Sequence, residues 1–271
     1  MMTHLRAVWA FRHFWLSLVR MDLRSRYRRS VLGIGWSLLQ PIAMSGVLCL
    51  VFSTILPMTV ETVKGYPAPW RAYAAYLLAG MCAWEFLRNS LVAGCTALIN
   101  NEAYIRQCPL PYGIYPLRTV MGTGIHFLLS LTATTTLVCL LRGSAEPLGL
   151  LWAVLPAVPL MFLFCWGLAT VAAFATVYFH DTSHLIEVIA QLFFFLTPIM
   201  YTRDVLEKKN LGELLGLNPA YPFIELVRKP LVEGVPADGV TYVTAAVLAV
   251  LATGLGFGVI GWLQKRVIFH L

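Results

Sequence analysis

The sequence predicts an all-α integral membrane protein. The expected parts are an N-terminal amphipathic interface helix, six transmembrane helices, and a short re-entrant helical hairpin between the fifth and sixth. Three observations carry this. The 271-residue chain is 59% hydrophobic and only 12% charged, about half the charged share of a soluble domain. A globule of this length cannot enclose so much apolar surface, so lipid must solvate most of it. Six stretches have the length and apolarity of a spanning helix, and an arginine cluster stops abruptly where the first of them begins.

The apolar stretches run 36–56, 73–99, 117–141, 148–178, 185–201 and 240–263, against the ~20 residues a helix needs to cross a bilayer. The fourth holds Pro156 and Pro159, which predict a kink or an interfacial first turn. The fifth is short and ends at Thr197-Pro198. An even number of crossings puts both termini on one side. That side carries Arg6, Arg12, Arg20, Arg24, Arg26, Arg28 and Arg29 before the first span, then Arg106, Arg118, Lys265 and Arg266. The segment flanking the first span dominates orientation, so both termini are predicted cytoplasmic. Residues 1–271 then form one transmembrane domain: an interface helix in 1–30, spans one to five in 36–201, an external hairpin in 202–239, span six in 240–263 and a tail in 264–271.

The N-terminal segment is too polar to cross. Trp9, Phe11, Phe14 and Trp15 stand among polar residues, which predicts no cleavable signal. His13, Ser17, Arg20 and Arg24 fall on one helical face, and Phe11, Phe14, Trp15 and Leu18 on another. Such a helix lies in the interface with its aromatic residues toward the acyl chains. Between the second and third spans, residues 100–111 form a short polar loop closed by Pro109 and Pro111, with room for one or two helical turns. A short helix there is something a cytoplasmic partner could push against. Residues 202–239 are long for a connection, and Asn218-Pro219 breaks them into two short helices, neither apolar enough to span. A broken helix is tolerated at membrane depth where it faces protein or water.

Few residues offer chemistry. Glu85 and Arg88 lie three apart in the second span and can pair on one helix face. His180 and His184 have metal-ligand spacing but neither a third ligand nor a second shell, so no metal is expected, and Asp181 is placed to cap the fifth span. The six cysteines form no CxxC pair, and most sit inside apolar spans as small hydrophobes. Phe193, Phe194, Phe195 and Tyr201 crowd the fifth span, where they serve helix packing or present faces on which sugar rings stack. There is no GxxxxGK[ST], GxSxG or HExxH, so no catalytic residue is expected and any driving energy comes from outside the chain.

Four segments in register resemble the permease subunit of ABC-2 type exporters of surface polysaccharide, in the O-antigen and teichoic-acid branch. They are the arginine-rich stretch with Ser30-Val31-Leu32-Gly33 and Trp36-Ser37-Leu38-Leu39-Gln40-Pro41; Arg106-Gln107-Cys108-Pro109-Leu110-Pro111; Tyr178-Phe179-His180-Asp181 followed by Phe194 to Tyr201; and Asn218-Pro219-Ala220-Tyr221-Pro222-Phe223-Ile224-Glu225-Leu226-Val227-Arg228. Cys108 and Leu110 depart from the apolar and aromatic residues usual in that pattern. The resemblance implies a homodimeric permease in a bacterial cytoplasmic membrane. Two ATP-binding subunits would bind the ATP and magnesium, leaving no cofactor in this chain. The cargo would be an undecaprenyl-pyrophosphate-linked polysaccharide, with Arg24, Arg26, Arg28 and Arg29 at its headgroup, since guanidinium forks suit phosphate oxygens. Glu102, Tyr104 and Arg106 would form the coupling helix, Phe193–Phe195 and Tyr201 the channel lining, and Asn218, Pro219, Tyr221 and Glu225 the external gate. Two other readings remain open: a drug or small-lipid exporter of the same architecture, and a membrane transferase built on His180, Asp181 and His184.

Overall fold

The computed structural model describes residues 11–27, 33–54, 65–107, 110–202, 213–216 and 218–270, and among these there is helix and no strand. The long elements are α1 (Arg12–Tyr27), α2 (Trp36–Thr54), α3 (Pro69–Cys95), α5 (Ile114–Arg142), α8 (Ala157–Tyr178), α9 (Thr182–Leu196) and α12 (Gly239–Leu263). Between them lie the short α4 (Glu102–Gln107), α6 (Glu146–Gly149), α7 (Leu151–Val154), α10 (Glu213–Gly216) and α11 (Tyr221–Arg228). A π-helical turn, Lys229–Glu233, prolongs α11.

Helix α3 is the hub. Its residues are buried around most of its circumference, because α2, α5, α8, α9 and α11 all pack on it. Three helices are long and apolar enough to cross a membrane: Ile114–Arg142, Leu151–Tyr178 and Gly239–Leu263. Leu38–Phe52 and Thr182–Leu196 are shorter apolar helices. The hub itself can carry Arg71, Glu85 and Arg88 because protein surrounds much of it.

The α8–α12 contact is the most extensive among the described helices. On α12, Ala245, Ala249, Ala252, Gly256 and Ile260 are buried, while Val243, Val247, Val250, Leu251 and Leu255 stay exposed. Lipid is as apolar as leucine, so helices associate through close packing, and small residues allow it. Gly167 of α8 lies directly on the Ala252–Thr253 backbone, and Gly256 lies against the Gly167 carbonyl.

The helix ends follow local chemistry more closely than hydropathy. The expected second span, 73–99, is a helix from Pro69 to Cys95, with proline in the first turn where its missing N–H costs nothing. The expected fourth span is divided: α6 and α7 precede α8, and Pro156 sits at the α8 N-cap. The expected fifth span, 185–201, ends as a helix at Leu196, and Thr197 is extended, since Pro198 disfavours helical geometry in the residue before it. Asp181 occupies the N-cap of α9 but makes no side-chain cap bond, contrary to expectation.

Helix α1 packs part of its expected lipid face on protein. Leu18 and Val19 are buried, Trp15 packs with Ile114, Leu117 and Trp166, and α1 lies along α5. Its apolar face is therefore used on protein, and Phe11 remains exposed. At the same end, Ile105 of α4, Tyr178 and Val267 share one apolar cluster, and the Tyr178 and His270 rings are 4.6 Å apart. The N-terminal helix, α4 and the C-terminal turn thus gather at one end of the bundle. At the other end Arg142 ties the loops together. It pairs with Glu146 at 2.7 Å, and its guanidinium lies against Gly65 and Gly234. Both glycines have positive φ, 95° and 74°, so a side chain there would be strained as well as crowded.

Candidate functional site

The densest polar structure lies where α9 breaks. Residues 197–201 leave the helix, so their backbone groups need partners inside the bundle. Tyr73 donates to the Met200 carbonyl at 2.7 Å, and the Tyr76 hydroxyl lies 2.9 Å from the Tyr201 carbonyl and 3.2 Å from that of Pro198. Arg228, at the end of α11, is fully buried. Its Nη1 donates to the Tyr76 hydroxyl and to the Pro198 carbonyl, each at 2.8 Å, with Glu225 Oε1 at 3.4 Å. The guanidinium also stacks 3.8 Å from the Tyr76 ring centroid, a cation–π geometry. Space for it exists because Gly80 has no side chain: a Cβ there would run into Arg228 Nη2.

The gate residues inferred from resemblance belong to this structure. Asn218 is buried, its Nδ2 donates to Thr197 Oγ1 at 2.8 Å, and its Oδ1 accepts from the Ala220 N–H at 3.0 Å. It therefore joins the broken end of α9 to the start of α11. Pro219 and Tyr221 are half-buried at the turn, and Glu225 is buried beside Arg228. The predicted break between two short helices falls at 218–220, between α10 and α11; residues 203–212 and 217 lie outside the described residues. The hairpin is fastened to α12 by Lys229, which meets Asp238 at 2.7 Å. Burial works against the Lys229 ammonium, but the Asp238 hydrogen bond and charge outweigh it and hold its pKa above the ordinary lysine value.

The aromatic group on α9 divides by role. Phe193 and Phe194 pack on the main core, with Phe194 5.8 Å from the Trp84 ring. Phe195 is exposed. Tyr201 folds back over the helix end, where its hydroxyl lies 2.9 Å from the Phe195 carbonyl and 3.1 Å from that of Leu196. It closes carbonyls that a helix end leaves open.

At the opposite end a second network forms. Arg118 holds Asp22 with two prongs, Nε to Oδ2 at 2.5 Å and Nη2 to Oδ1. Its Nη1 donates to Asn101 Oδ1 at 2.6 Å. Asn101 precedes α4, whose Glu102 and Arg106 pair at 2.7 Å on an exposed face, while Tyr104 meets Phe14 of α1 edge-on at 6.5 Å. One arginine thus binds α1, α5 and the approach to α4. Asp22→Asn should loosen α1 and speed proteolysis of the N-terminal segment. Solvent screening at the half-exposed carboxylate limits the cost to about 1 kcal/mol. Unchanged cleavage would contradict the clamp.

Of the arginine cluster, Arg24 and Arg26 lie on α1, though their side chains are outside the described residues, as Arg28 and Arg29 are altogether. The expected Glu85–Arg88 pair is replaced by a bridge: Asn89 donates to Glu85 at 2.9 Å and accepts from Arg88 at 3.4 Å. No group that could hold a metal occurs among the described residues. Sequence reasoning missed Arg228 and Arg118 as organising residues. A tyrosine pair three residues apart inside a span, Tyr73 and Tyr76, was the available signal, since buried hydroxyls need partners.

This fold, with its long apolar helices and a polar network inside the bundle, defines a polytopic α-helical membrane protein. The chain belongs to the ABC-2 type transporter family, which matches residues 13–232. It is similar to two proteins of Klebsiella pneumoniae named O-antigen export system permease protein RfbA. One is 22% identical over 242 residues, covering 88% of each chain. The other is 23% identical over 193 residues, covering 71% of this chain and 70% of the relative. A Myxococcus xanthus protein of the same name is 27% identical over 218 residues, covering 79% and 78%.

Proposed function

We propose that this chain is the permease subunit of an ATP-driven exporter that moves an undecaprenyl-pyrophosphate-linked polysaccharide across the bacterial cytoplasmic membrane. The observation that carries the reading is similarity to proteins named O-antigen export permeases, along 88% of both chains for one of them. In this reading α2, α3, α5, α7–α8, α9 and α12 are six crossings, both termini are cytoplasmic, and α10–α11 form a re-entrant external hairpin. The chain is one transmembrane domain without catalytic activity. Two copies enclose the pore, and two separate ATP-binding subunits supply the ATP, the magnesium and the hydrolysis.

The residues take matching roles. Glu102, Tyr104 and Arg106 on α4 meet the ATP-binding subunit, and the Arg118 clamp passes its motion to α1. Arg24, Arg26, Arg28 and Arg29 hold the pyrophosphate through their forked donors. Phe195 is exposed enough to line the path, with Phe193, Phe194 and Tyr201 shaping the wall behind it. Asn218, Pro219, Tyr221 and Glu225 form the external gate, hinged on Arg228. Depletion of the protein in its native host should remove a surface glycan and raise its lipid-linked precursor inside the cell, both read by chemical analysis. Normal surface glycan with no precursor build-up would overturn the assignment and favour a small-molecule exporter or a lipid-carrier transferase.

A further inference from the structure

A cavity of about 500 Å³ lies between α2, α3 and α5, within the range of about 300–1,000 Å³ typical of small-molecule sites. Trp36 and Gln40 of α2, Glu85, Phe86 and Asn89 of α3, and His126 of α5 line it. Gln40 stands one turn into α2, and Asn89 six residues before the end of α3. The cavity therefore occupies the half of the bundle that carries α1 and α4.

Its chemistry does not suit lipid. Asn89 and Gln40 are exposed and Glu85 is half-exposed, although all three lie on helices of the bundle. Polar side chains at membrane depth face water or protein, because hydrocarbon offers them no partner. Asn89 already joins Glu85 at 2.9 Å and Arg88 at 3.4 Å, and an apolar cargo would offer this polar lining no further partner. A phosphate would meet the Glu85 carboxylate, while Arg88 is not itself a lining residue and is engaged by Asn89 at 3.4 Å. What remains is a ligand rich in neutral hydroxyls. A pyranose ring presents an apolar C–H face that stacks on Trp36 or Phe86. Its hydroxyls both donate and accept, as the amides of Gln40 and Asn89 and the His126 imidazole do, while Glu85 accepts.

We propose that this cavity is a sugar-binding subsite of the export path, engaging the glycan and not its phosphates. The inference rests on the export reading above. Its lining residues are not those of the arginine cluster.

The test replaces Glu85 and Asn89 together with leucine in the full transporter, with whole-protein depletion run in parallel. A lipid-facing surface would accept two leucines without loss, whereas a sugar site would not. With membrane level and assembly with the ATP-binding subunit equal to the parent, surface glycan should fall at least about tenfold, the factor that loss of one hydrogen bond to a charged group brings. Parental export by this variant, with depletion still abolishing surface glycan, would overturn the subsite and leave the export reading standing. Normal glycan on depletion would overturn both. A second measurement covers a variant that does not assemble. Asn89→Cys should react with a membrane-impermeant methanethiosulfonate and be protected when lipid-linked glycan accumulates. Labelling no greater than in the parent, or unaffected by glycan, would overturn the proposal.

Discussion

Arg228→Met is expected to destabilise the protein more than any other single side-chain truncation in the hairpin. The guanidinium is fully buried and serves three groups at once: the Tyr76 hydroxyl, the Pro198 carbonyl and the Glu225 carboxylate. Methionine fills similar volume but leaves a buried carboxylate without its cation, a loss of about 3–5 kcal/mol. Arg228→Lys should recover little, because the Tyr76, Pro198 and Glu225 contacts all meet at Nη1, a position the shorter lysine does not reproduce, and an ammonium loses the planar stack on Tyr76. Thermal unfolding in detergent should show a large downward shift for both variants, and surface glycan should fall with it. Glu225→Gln should cost less, since its contact with Arg228 is the longest of the set at 3.4 Å. A parental melting temperature for Arg228→Met would show that the network does not hold the hairpin.

Gly167→Leu is expected to separate α8 from α12. A Cβ at Gly167 would overlap the Ala252 carbonyl group and approach Thr253 N at 2.5 Å. These are backbone atoms of a helix, which cannot rotate aside as a side chain does. Overpacking costs about 1–3 kcal/mol where neighbours adjust, and more where they cannot. The contact being the most extensive between two described helices, the helices must move apart and lose dispersion along their length. Gly254→Leu on α12 is the matched control: nothing lies within 4 Å of its Cβ position, so stability should change little. Equal effects of the two substitutions, read as yield and melting temperature after purification, would contradict this packing.

The helical architecture was legible because a bilayer admits few alternatives: a backbone in lipid must close its own hydrogen bonds. The break at Asn218-Pro219 and the end near Thr197-Pro198 were legible for the same local reason, since proline forbids continuation. Hydropathy nevertheless ran too far along the fifth segment. Ile199 is buried and Met200 half-buried, so they read as span although their backbone is not helical. Hydropathy reports partitioning and not conformation. The aromatic face of α1 was legible only in part: Trp15 and Leu18 would suit acyl chains or a protein groove equally, and only the presence of α5 decides. Arg228 carries no sequence signal of its role, because nothing local announces that α11 folds into the bundle. Its burial depends on Tyr76, 152 residues away, and on Gly80 leaving room. Arg118 and Asp22, 96 residues apart, were hidden in the same way.

The most direct measurement is transport itself. Inverted membrane vesicles holding this permease and its ATP-binding subunit would be loaded on the outside with radiolabelled undecaprenyl-pyrophosphate-linked glycan, and the label protected from added glycosidase would be followed with time. The account predicts that ATP makes the label protected, that a non-hydrolysable analogue does not, and that Arg228→Met abolishes the gain. Protection that is independent of ATP, or absent while the complex still hydrolyses ATP on adding glycan, would contradict the claim that this chain forms the path for the polymer.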